Sequence, residues 1–308
     1  MESIKNRTSI RKYAEKEVSE ELLNRLLEEA ERTPTMGNLQ LYSVVVTRSE
    51  EGKKALAPAH FNQPMVTEAP VVLTICADYR RTTLWAENRK GTPGYDNILS
   101  FMNAATDALL FTQTFTNLAE EAGLGTCFLG TTVYMPKMII DTLKLPKLVM
   151  PVATLTIGWP AEHPALSDRL PLRSIIHHEH FEDYTPEKID DFYAEKESLE
   201  ENQEFVRINN VETLAQVFTD IPVSLRFKIK LGRFAPSADN RVAGIILAYG
   251  NIFCGNVRNS QQNAFDFFFN LFQFLVICGN FIAESTNCSH LLSSILTGFF
   301  QLANLLRC

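Results

Sequence analysis

The spacing of apolar and polar residues along the first 220 positions predicts helices and strands in alternation. Apolar residues recur every three or four positions after Ser19, which can cap a helix, and this stripe stops before Pro34. Short runs of β-branched or wholly apolar residues predict strands at 43–47, 71–76 and 152–157. Runs of this composition are typical of strands covered on both faces, so we expect a layered α+β domain.

The longest helical pattern occupies residues 97–122 and predicts one helix about 39 Å long, at roughly 1.5 Å per residue. Apolar side chains surround most of this helix, which indicates a central, buried position rather than a surface one. Gly123 is expected to end it in a left-handed cap. Further along, Thr185 and Pro186 predict the start of a polar, acidic helix over residues 187–201.

Composition changes abruptly near residue 221 and divides the chain into two parts. Residues 1–220 carry 22 Lys and Arg against 33 Asp and Glu, a net charge of −11, whereas residues 221–308 carry 7 against 3, a net charge of +4. The second part also holds 12 of the 21 Phe residues. We therefore expect one domain over residues 1–220, followed by an atypical Phe- and Cys-rich apolar tail over 221–308.

Two explanations of this tail stay open. Residues 264–283 contain a single charge, Asp266, and reach the length of about 20 residues that a membrane span needs. On that explanation the tail is an appendage that binds a membrane or a partner. The abrupt loss of charge balance and of helix caps favours the other explanation, translation of a shifted or non-coding reading frame.

Charge and cysteine spacing exclude several classes of partner and site. The net charge of −7 argues against a nucleic-acid partner, which needs a basic face. The first residues lack the apolar stretch of a signal peptide, so we expect a cytoplasmic protein. No two cysteines have the C-x-x-C spacing of a zinc or redox site. On a strand only His178 and His180 would share a face, so no metal site is expected there.

Residues that favour a phosphate group are concentrated near the N-terminus. Arginine and hydroxyl side chains are natural phosphate partners, since a guanidinium offers a planar fork of donors. The residues of this kind in the segment are Arg7, Thr8, Ser9 and Arg11. Arg169, far downstream, and the polar turn at 34–38 could converge with them on one phosphorylated ligand. A solvated N-terminal tail without a ligand is the alternative.

A glycine-rich segment at residues 123–130 fits neither of the usual nucleotide-binding loops. A dinucleotide loop follows a strand and opens a helix, whereas here the predicted order is helix, glycines, strand. Thr131 stands where a phosphate-binding loop requires lysine. The glycines instead allow the backbone to approach a flat ring closely, with a helix cap and a tight entry to the next strand as the alternative.

Five segments, taken in order, resemble the FMN-dependent nitroreductase family over residues 1 to about 215. These segments are RTSIRKY at 7–13, PTMGNLQ at 34–40, APVV at 69–72, GLGTCFLG at 123–130 and DRLPL at 168–172. The Arg-Leu-Pro element is more similar to the larger, NADPH-preferring branch of the family. The resemblance implies an α+β layered fold with a mixed central sheet, packed by helices around a long buried helix. It also implies an intertwined homodimer with FMN in the interface.

The resemblance further implies a role for each candidate residue. The residues it assigns to FMN are Arg7, Thr8, Ser9, Arg11 and Arg169 for the phosphate and ribityl chain, Thr35 and Asn38 for the flavin face, Gln63 for the ring edge, and Leu129, Gly130 and Thr131 as backbone donors near N5. Gln40, in the same turn as Asn38, is expected to be a buried structural amide.

The chemistry that the resemblance implies belongs to the flavin, so no side chain is assigned as an acid or base catalyst. NADPH or NADH would deliver hydride to flavin N5. A nitroaromatic, a quinone or a similar small acceptor would then take the electrons in a ping-pong cycle. Two other functions stay open: a specialised flavin enzyme of the same superfamily, such as a dehalogenase or a flavin-fragmenting enzyme, and a non-catalytic FMN-binding dimer.

Overall fold

The computed structural model of this chain describes residues 2–220, which belong to the first of its two units, Met1–Phe253. The helices are α1 (Glu2–Lys5), α2 (Glu20–Ala30), α3 (Glu50–Leu56), α4 (Pro64–Glu68), α5 (Arg80–Glu87), α6 (Ile98–Glu121), α7 (Pro136–Leu143), α8 (Pro186–Ser198), α9 (Glu200–Asn209) and α10 (Leu214–Thr219). The strands are β1 (Tyr42–Thr47), β2 (Val71–Asp78), β3 (Gly125–Phe128) and β4 (Val149–Gly158). Short 3₁₀ turns lie at Met36–Asn38, Ala57–His60, Gly130–Val133 and Leu172–Ser174.

The predicted apolar tail, including residues 264–283, lies outside the described residues, so the domain boundary at residue 220 stays a prediction. Between residues 2 and 220, no helix combines the length and the apolarity that crossing a membrane requires.

The four strands form one sheet in the order β1-β2-β4-β3, and every pairing in it is antiparallel. A mixed sheet was expected, so this is a correction for the described residues. The connections from β1 to β2 and from β3 to β4 each return the chain to the end of the sheet that it left, which makes neighbouring strands antiparallel. All eight residues of β2 are buried, which confirms that this strand is covered on both faces.

The long central helix begins and ends where its pattern predicted. Asn97 caps it, because the side-chain oxygen accepts a hydrogen bond of 2.8 Å from the backbone N–H of Ser100. Gly123 follows the helix with a φ of +87°, a left-handed conformation that glycine adopts without strain. Phe111 and Phe115 pack from α6 into the main core cluster, against the central strands.

One face of α6 is exposed, which differs from the buried helix that its apolar composition predicted. The exposed positions repeat at helical spacing and form a single stripe along the first four turns. They are Ile98, Leu99, Met102, Thr106, Leu109, Leu110 and Gln113. The side chain at Leu99 is 69% exposed and that at Met102 is 54% exposed. The helix is therefore buried on its core side only.

The N-terminal segment lies along the outer edge of β3 and continues across the end of β4. The Ile10 N–H donates to the Thr126 carbonyl at 2.9 Å, and Tyr13 forms a β-bridge with Pro160. A side chain at Gly125 would place its Cβ 2.7 Å from Ile10, so the close approach requires glycine there. The tyrosine hydroxyl also lies 2.7 Å from Thr156 Oγ1 on β4. These contacts fix the backbone of residues 7–13.

Two further predictions about helices have different outcomes. Thr185 caps α8, as predicted, and its side chain accepts a hydrogen bond from the Lys188 N–H. The single helix expected over residues 187–201 is broken at Leu199, whose ψ of 130° is extended, so that α9 begins as a second helix. The segment around residues 80–87, which lacks clear periodicity, forms α5.

Candidate functional site

Two guanidinium groups from the N-terminal segment lie beside Cys127 on β3. Burial raises the pKa of the Cys127 thiol, and the positive charges of Arg11 and Arg7 oppose that rise. Arg7 and Arg11, which are four positions apart in sequence, are therefore brought together at the edge of the sheet, with Thr8 and Ser9 half-buried between them.

Two carboxylates hold this cationic segment in place. Arg7 Nε lies 3.4 Å from Glu120 Oε1 at the end of α6, and the same oxygen accepts a hydrogen bond of 2.5 Å from Thr126 Oγ1. Burial raises the pKa of Glu120, although Thr126 and Arg7 oppose that rise. Glu162 accepts hydrogen bonds from the backbone N–H groups of Arg11 and Lys12, at 2.7 and 3.1 Å. Its carboxylate thus holds the backbone and leaves the Arg11 guanidinium free of that ion pair.

Backbone amides without an acceptor follow directly after β3. The Leu129 N–H donates to the Thr154 carbonyl at 2.8 Å, and the Leu129 side chain lies in an apolar cluster. Leu129 is thus a structural residue, which corrects its assignment as a backbone donor. For Gly130 and Thr131, no acceptor of the backbone N–H occurs among residues 2–220. Thr131 is fully buried, and a buried N–H without a partner is rare, so this N–H is a candidate donor to a ligand.

Gln63 is linked through His60 to the turn that bears these amides, by a contact that the sequence did not suggest. Gln63 is buried, and its N–H donates to the carbonyl of His60 at 3.2 Å. The His60 side chain is fully buried, and its Nδ1 lies 2.9 Å from Thr131 Oγ1. Burial lowers the pKa of His60 to about 4, so the ring is neutral near pH 7. The chain pattern contains no signal for this histidine, because a lone histidine beside alanines resembles an ordinary core position.

Strained backbone occurs in two of the segments assigned to the flavin. Phe61 and Asn62, just before Gln63, have φ values of 55° and 54°. Asn38 and Gln40, in the polar turn, have φ values of 54° and 46°. Non-glycine residues with positive φ cost of order 1–3 kcal/mol each and cluster at functional sites. Asparagine adopts this conformation readily, so the disfavoured conformations are those of Phe61 and Gln40.

A buried aspartate on α6 holds the polar turn. Asp107 is only 2% exposed, and its two carboxylate oxygens accept hydrogen bonds from the N–H groups of Met36 and Leu41, at 2.8 and 3.1 Å. The turn between them carries Asn38, which is exposed, and the half-buried Thr35 directly precedes Met36. The sequence did not suggest Asp107, because a carboxylate within an apolar helical pattern gives no indication of its distant partners.

Gln40 differs from the buried structural amide that was expected. It is partly exposed, and its side-chain Nε2 donates to Asn38 Oδ1 at 2.7 Å within the same turn. Its backbone carbonyl also accepts a hydrogen bond from Arg81. The amide therefore stabilises the local conformation of Asn38 and belongs to the surface of the turn.

Arg169 is not brought to the other arginines by any contact among the described residues. Its guanidinium is exposed and donates locally to the carbonyls of Ser167 and Asp168, at 3.4 and 2.8 Å. The Asp168 carboxylate forms an ion pair of 2.8 Å with Lys196 on α8. The assignment of Arg169 to a phosphate clamp thus stays a prediction.

The histidine-rich segment forms an aromatic cluster. His177 stacks on Phe181 with ring centroids 4.3 Å apart, and its Nδ1 accepts a hydrogen bond from the Glu182 N–H. The segment is not a strand, in contrast to the geometry considered from its sequence. Over residues 2–220, no group of three or more His, Cys, Asp or Glu residues has a geometry suited to a metal ion.

The geometry places two kinds of anion-binding group along one edge of the sheet. Guanidinium groups lie at Cys127, and the unpaired amides begin three residues later, at Gly130, which is about 10 Å further along an extended chain. Charged donors suit a phosphate, whereas fixed backbone amides suit an acceptor atom that gains negative charge. The arrangement can thus hold a ligand with an anionic group at one end and a hydrogen-bond acceptor about 10 Å away.

Comparisons with known proteins agree with this geometry. A sequence model of the nitroreductase family matches residues 4–159. The chain is 33% identical over 184 residues to the FMN reductase [NAD(P)H] of Bacillus subtilis (strain 168), which covers 58% of this chain and 73% of that protein.

Solved structures are similar over most of the fold. A structure from Bacteroides fragilis NCTC 9343 is 52% identical, with a TM-score of 0.75, and covers 82% of this chain and 99% of the other. The NfrA1 nitroreductase of B. subtilis is 26% identical, with a TM-score of 0.63, and covers 75% of this chain and 92% of the other. Because the family model matches more than half of the chain, the protein belongs to the nitroreductase family.

Proposed function

We propose that this protein is an FMN-dependent oxidoreductase, which takes electrons from NADPH or NADH and passes them to a nitroaromatic, a quinone or a similar small acceptor in a ping-pong cycle. The observation that carries the proposal is the edge of β3, where two arginines precede two amides that have no acceptor among the described residues. The relative from B. subtilis with 33% identity is an FMN reductase that uses NAD(P)H, which supports the same cofactors here.

The residues at this edge fit FMN. Arg7 and Arg11 provide cationic donors for the phosphate, and the hydroxyls of Thr8 and Ser9 lie between them for the ribityl chain. A ring atom that accepts from Thr131 would supply the partner that its buried N–H lacks. Thr35, Asn38, Gln63 and Arg169 stay assigned to FMN by prediction.

When bound, FMN supplies the electron-transfer chemistry, and the chain supplies binding, orientation and electrostatics. The arginines anchor the ligand by its phosphate, so that its flat end meets Gly130 and Thr131. Amides held in a folded turn stabilise negative charge without having to reorient, unlike water. His60 is no proton donor at neutral pH, because its pKa of about 4 leaves the ring neutral.

We also propose that the protein is a homodimer and that the exposed stripe of α6 lies in the interface. Leu99, Met102 and Leu109 belong to this stripe and expose about half or more of their side chains. Contiguous apolar surface of this kind is typical of protein interfaces, whereas isolated exposed apolar residues are common.

The spectrum of the purified full-length chain tests the function. FMN would be added, excess removed, and the visible absorption recorded before and after anaerobic addition of NADPH or NADH. We expect a flavin spectrum that bleaches and recovers when a quinone or a nitroaromatic is added. Flavin that binds and resists both nucleotides would favour the non-catalytic FMN-binding dimer, whereas an absence of flavin binding would contradict the whole proposal.

Replacing Arg11 tests the site itself. Arg11→Ala removes a charge-assisted hydrogen bond, so we expect FMN to bind about 10- to 100-fold more weakly, equivalent to roughly 1.5–3 kcal/mol. Lys12→Ala is the matched control, because it removes the same charge one position later from an exposed side chain. Fluorescence titration of FMN measures both affinities. Equal weakening of FMN binding in the two variants would mean that Arg11 contributes only general charge attraction, which would contradict a specific phosphate contact.

A further inference from the structure

Two 3₁₀ turns, Ala57–His60 and Gly130–Val133, are joined by a hydrogen bond between buried side chains. His60 Nδ1 lies 2.9 Å from Thr131 Oγ1, and neither residue is accessible to solvent. The rings of Phe61 and Tyr134 make a second contact between the same segments, with centroids 6.2 Å apart. The position of the second turn therefore depends on the first.

An imidazole is an unfavourable side chain at this core position. Its Nε2 is buried and has no hydrogen-bond partner among the described residues, and desolvation lowers its pKa to about 4. Leu56, Ala57 and Ala59, in and beside the same turn, belong to an apolar cluster. A leucine or methionine there would avoid the unpaired Nε2, but it would remove the partner of the buried Thr131 hydroxyl. The side-chain contact that compensates for this cost is the one to Thr131.

Thr131 carries that contact to the amides of the candidate site. Its own N–H and that of Gly130 have no acceptor among residues 2–220, and both belong to the same short turn. Gly130 makes no close packing contact on its side-chain side, because nothing lies within 4 Å of a Cβ built there. The Leu129 carbonyl, in the same peptide group as the Gly130 N–H, is held by the N–H and the hydroxyl of Thr132, at 3.3 and 2.8 Å. The anchored side chain of Thr131 thus acts on the Thr131 N–H.

We propose that His60 is a positioning residue for the flavin. Through the Thr131 side chain it holds the Thr131 amide in the orientation that stabilises the reduced ring. The proposal rests on the proposed function and requires no contact between the imidazole and the ring. It predicts that the His60 side chain affects how easily the bound flavin is reduced, beyond any effect on folding.

The chain offers matched variants for this test. His60→Asn keeps a polar atom near the position of Nδ1, whereas His60→Gln places its amide nearer to Nε2 and His60→Leu removes both. Thr131→Val removes the hydroxyl with almost no change of shape, and Thr131→Ser keeps it. If the hydrogen bond between His60 and Thr131 matters, the Asn and Ser variants keep the flavin reduction equilibrium of the wild type. The Gln, Leu and Val variants change it.

The measurement is the two-electron reduction potential of FMN bound to the full-length protein, titrated against a reference dye at saturating FMN. For His60→Leu and Thr131→Val we expect the equilibrium to shift at least tenfold toward oxidised flavin, which is about 30 mV for a two-electron couple. For His60→Asn and Thr131→Ser we expect less than a threefold shift. The double variant should shift no further than either single variant, since both remove one interaction.

Two results would overturn the positioning role. The first is a reduction equilibrium within threefold of the wild type in both Leu and Val variants at full FMN occupancy, even if thermal stability falls. The second is a shift in the Asn variant as large as that in the Leu variant. If His60→Leu does not fold, the reduction equilibrium of FMN bound to Thr131→Val tests the proposal by itself. Wild-type protein that binds no FMN would contradict the proposed function instead, so the two failures are distinguishable.

Discussion

A single carboxylate on the central helix determines the conformation of a loop far away in sequence. Asp107 accepts two backbone hydrogen bonds, from Met36 and Leu41, and is almost fully buried. Hydrogen bonds to a charged group contribute more than neutral ones, and a buried donor that loses its partner keeps its desolvation cost. Replacing Asp107 is therefore expected to destabilise the polar turn, whose N–H groups would lose their acceptor.

Asp107→Asn replaces one carboxylate oxygen with an amide nitrogen that cannot accept, so one of the two N–H groups loses its partner. We expect the free energy of unfolding to fall by about 1–3 kcal/mol. Asp141→Asn is the control, because Asp141 pairs with Lys137 on an exposed helix surface and should contribute little. Urea unfolding measures both variants. A loss for Asp107→Asn no larger than that of the control would contradict the structural role.

His60 also makes stability depend on pH. Its pKa is about 4 in the folded chain, against a normal value near 6.5, so between these values the unfolded chain binds more protons. The part of the unfolding free energy that depends on His60 is thus largest above pH 6.5. It decreases by about 3 kcal/mol as the pH falls toward 4, at roughly 1.4 kcal/mol per pH unit.

The measurement compares the wild type with His60→Asn, which has no group that titrates in this range. We expect the difference in unfolding free energy between them to decrease by about 3 kcal/mol between pH 7 and pH 4. Other ionisable groups are common to both proteins and cancel. A difference that stays constant over this range would show that the imidazole is not protonated on unfolding.

At the scale of helices and strands, local signals predicted much of the fold. Ser19 caps α2, Gly123 ends α6, and the apolar run after Ala69 forms the buried strand β2. These features depend on neighbouring residues alone, which a sequence displays directly. The break at Leu199 was missed, because no proline or glycine marks it.

The candidate site was predictable only in part, for a physical reason. The resemblance supplied Arg7 and Arg11, and the structure brings both to Cys127. Asp107 and His60 were not found, because their roles consist of hydrogen bonds across 66 and more positions of the chain. A sequence pattern of apolar and polar residues contains no record of such pairs.

Replacing one glycine tests the contact between the N-terminal segment and β3. Gly125→Ala would place a methyl group 2.7 Å from Ile10, so the segment must move away from the strand. We expect a loss of about 1–3 kcal/mol in unfolding free energy, together with weaker FMN binding. Gly94→Ala is the control, since nothing lies within 4 Å of a Cβ at that exposed position. Unchanged FMN affinity in Gly125→Ala would contradict the prediction that FMN binding depends on the position of this segment on β3.

At the scale of the whole molecule, the exposed face of α6 should determine the oligomeric state. Met102→Glu introduces a charge into the stripe, and burying an unpaired charge in an interface is costly, so we expect a shift from dimer toward monomer. Val46→Glu is the control, because Val46 is also apolar and exposed but lies on β1. Sedimentation equilibrium of the full-length protein measures the association. A monomeric wild type, or an unchanged dimer in Met102→Glu, would contradict the proposed interface.

The N-terminal segment that bears Arg7 and Arg11 also covers the free edge of the sheet, where Ile10 bonds to Thr126. An uncovered edge strand offers unpaired backbone groups to other chains and is a known site of aggregation. Removing the first dozen residues, or displacing them with a bulky fusion, would therefore expose β3 and remove the candidate phosphate donors together. Preparations with a disturbed N-terminus would then lose yellow colour and precipitate in parallel, so choice of tag position affects both solubility and cofactor content.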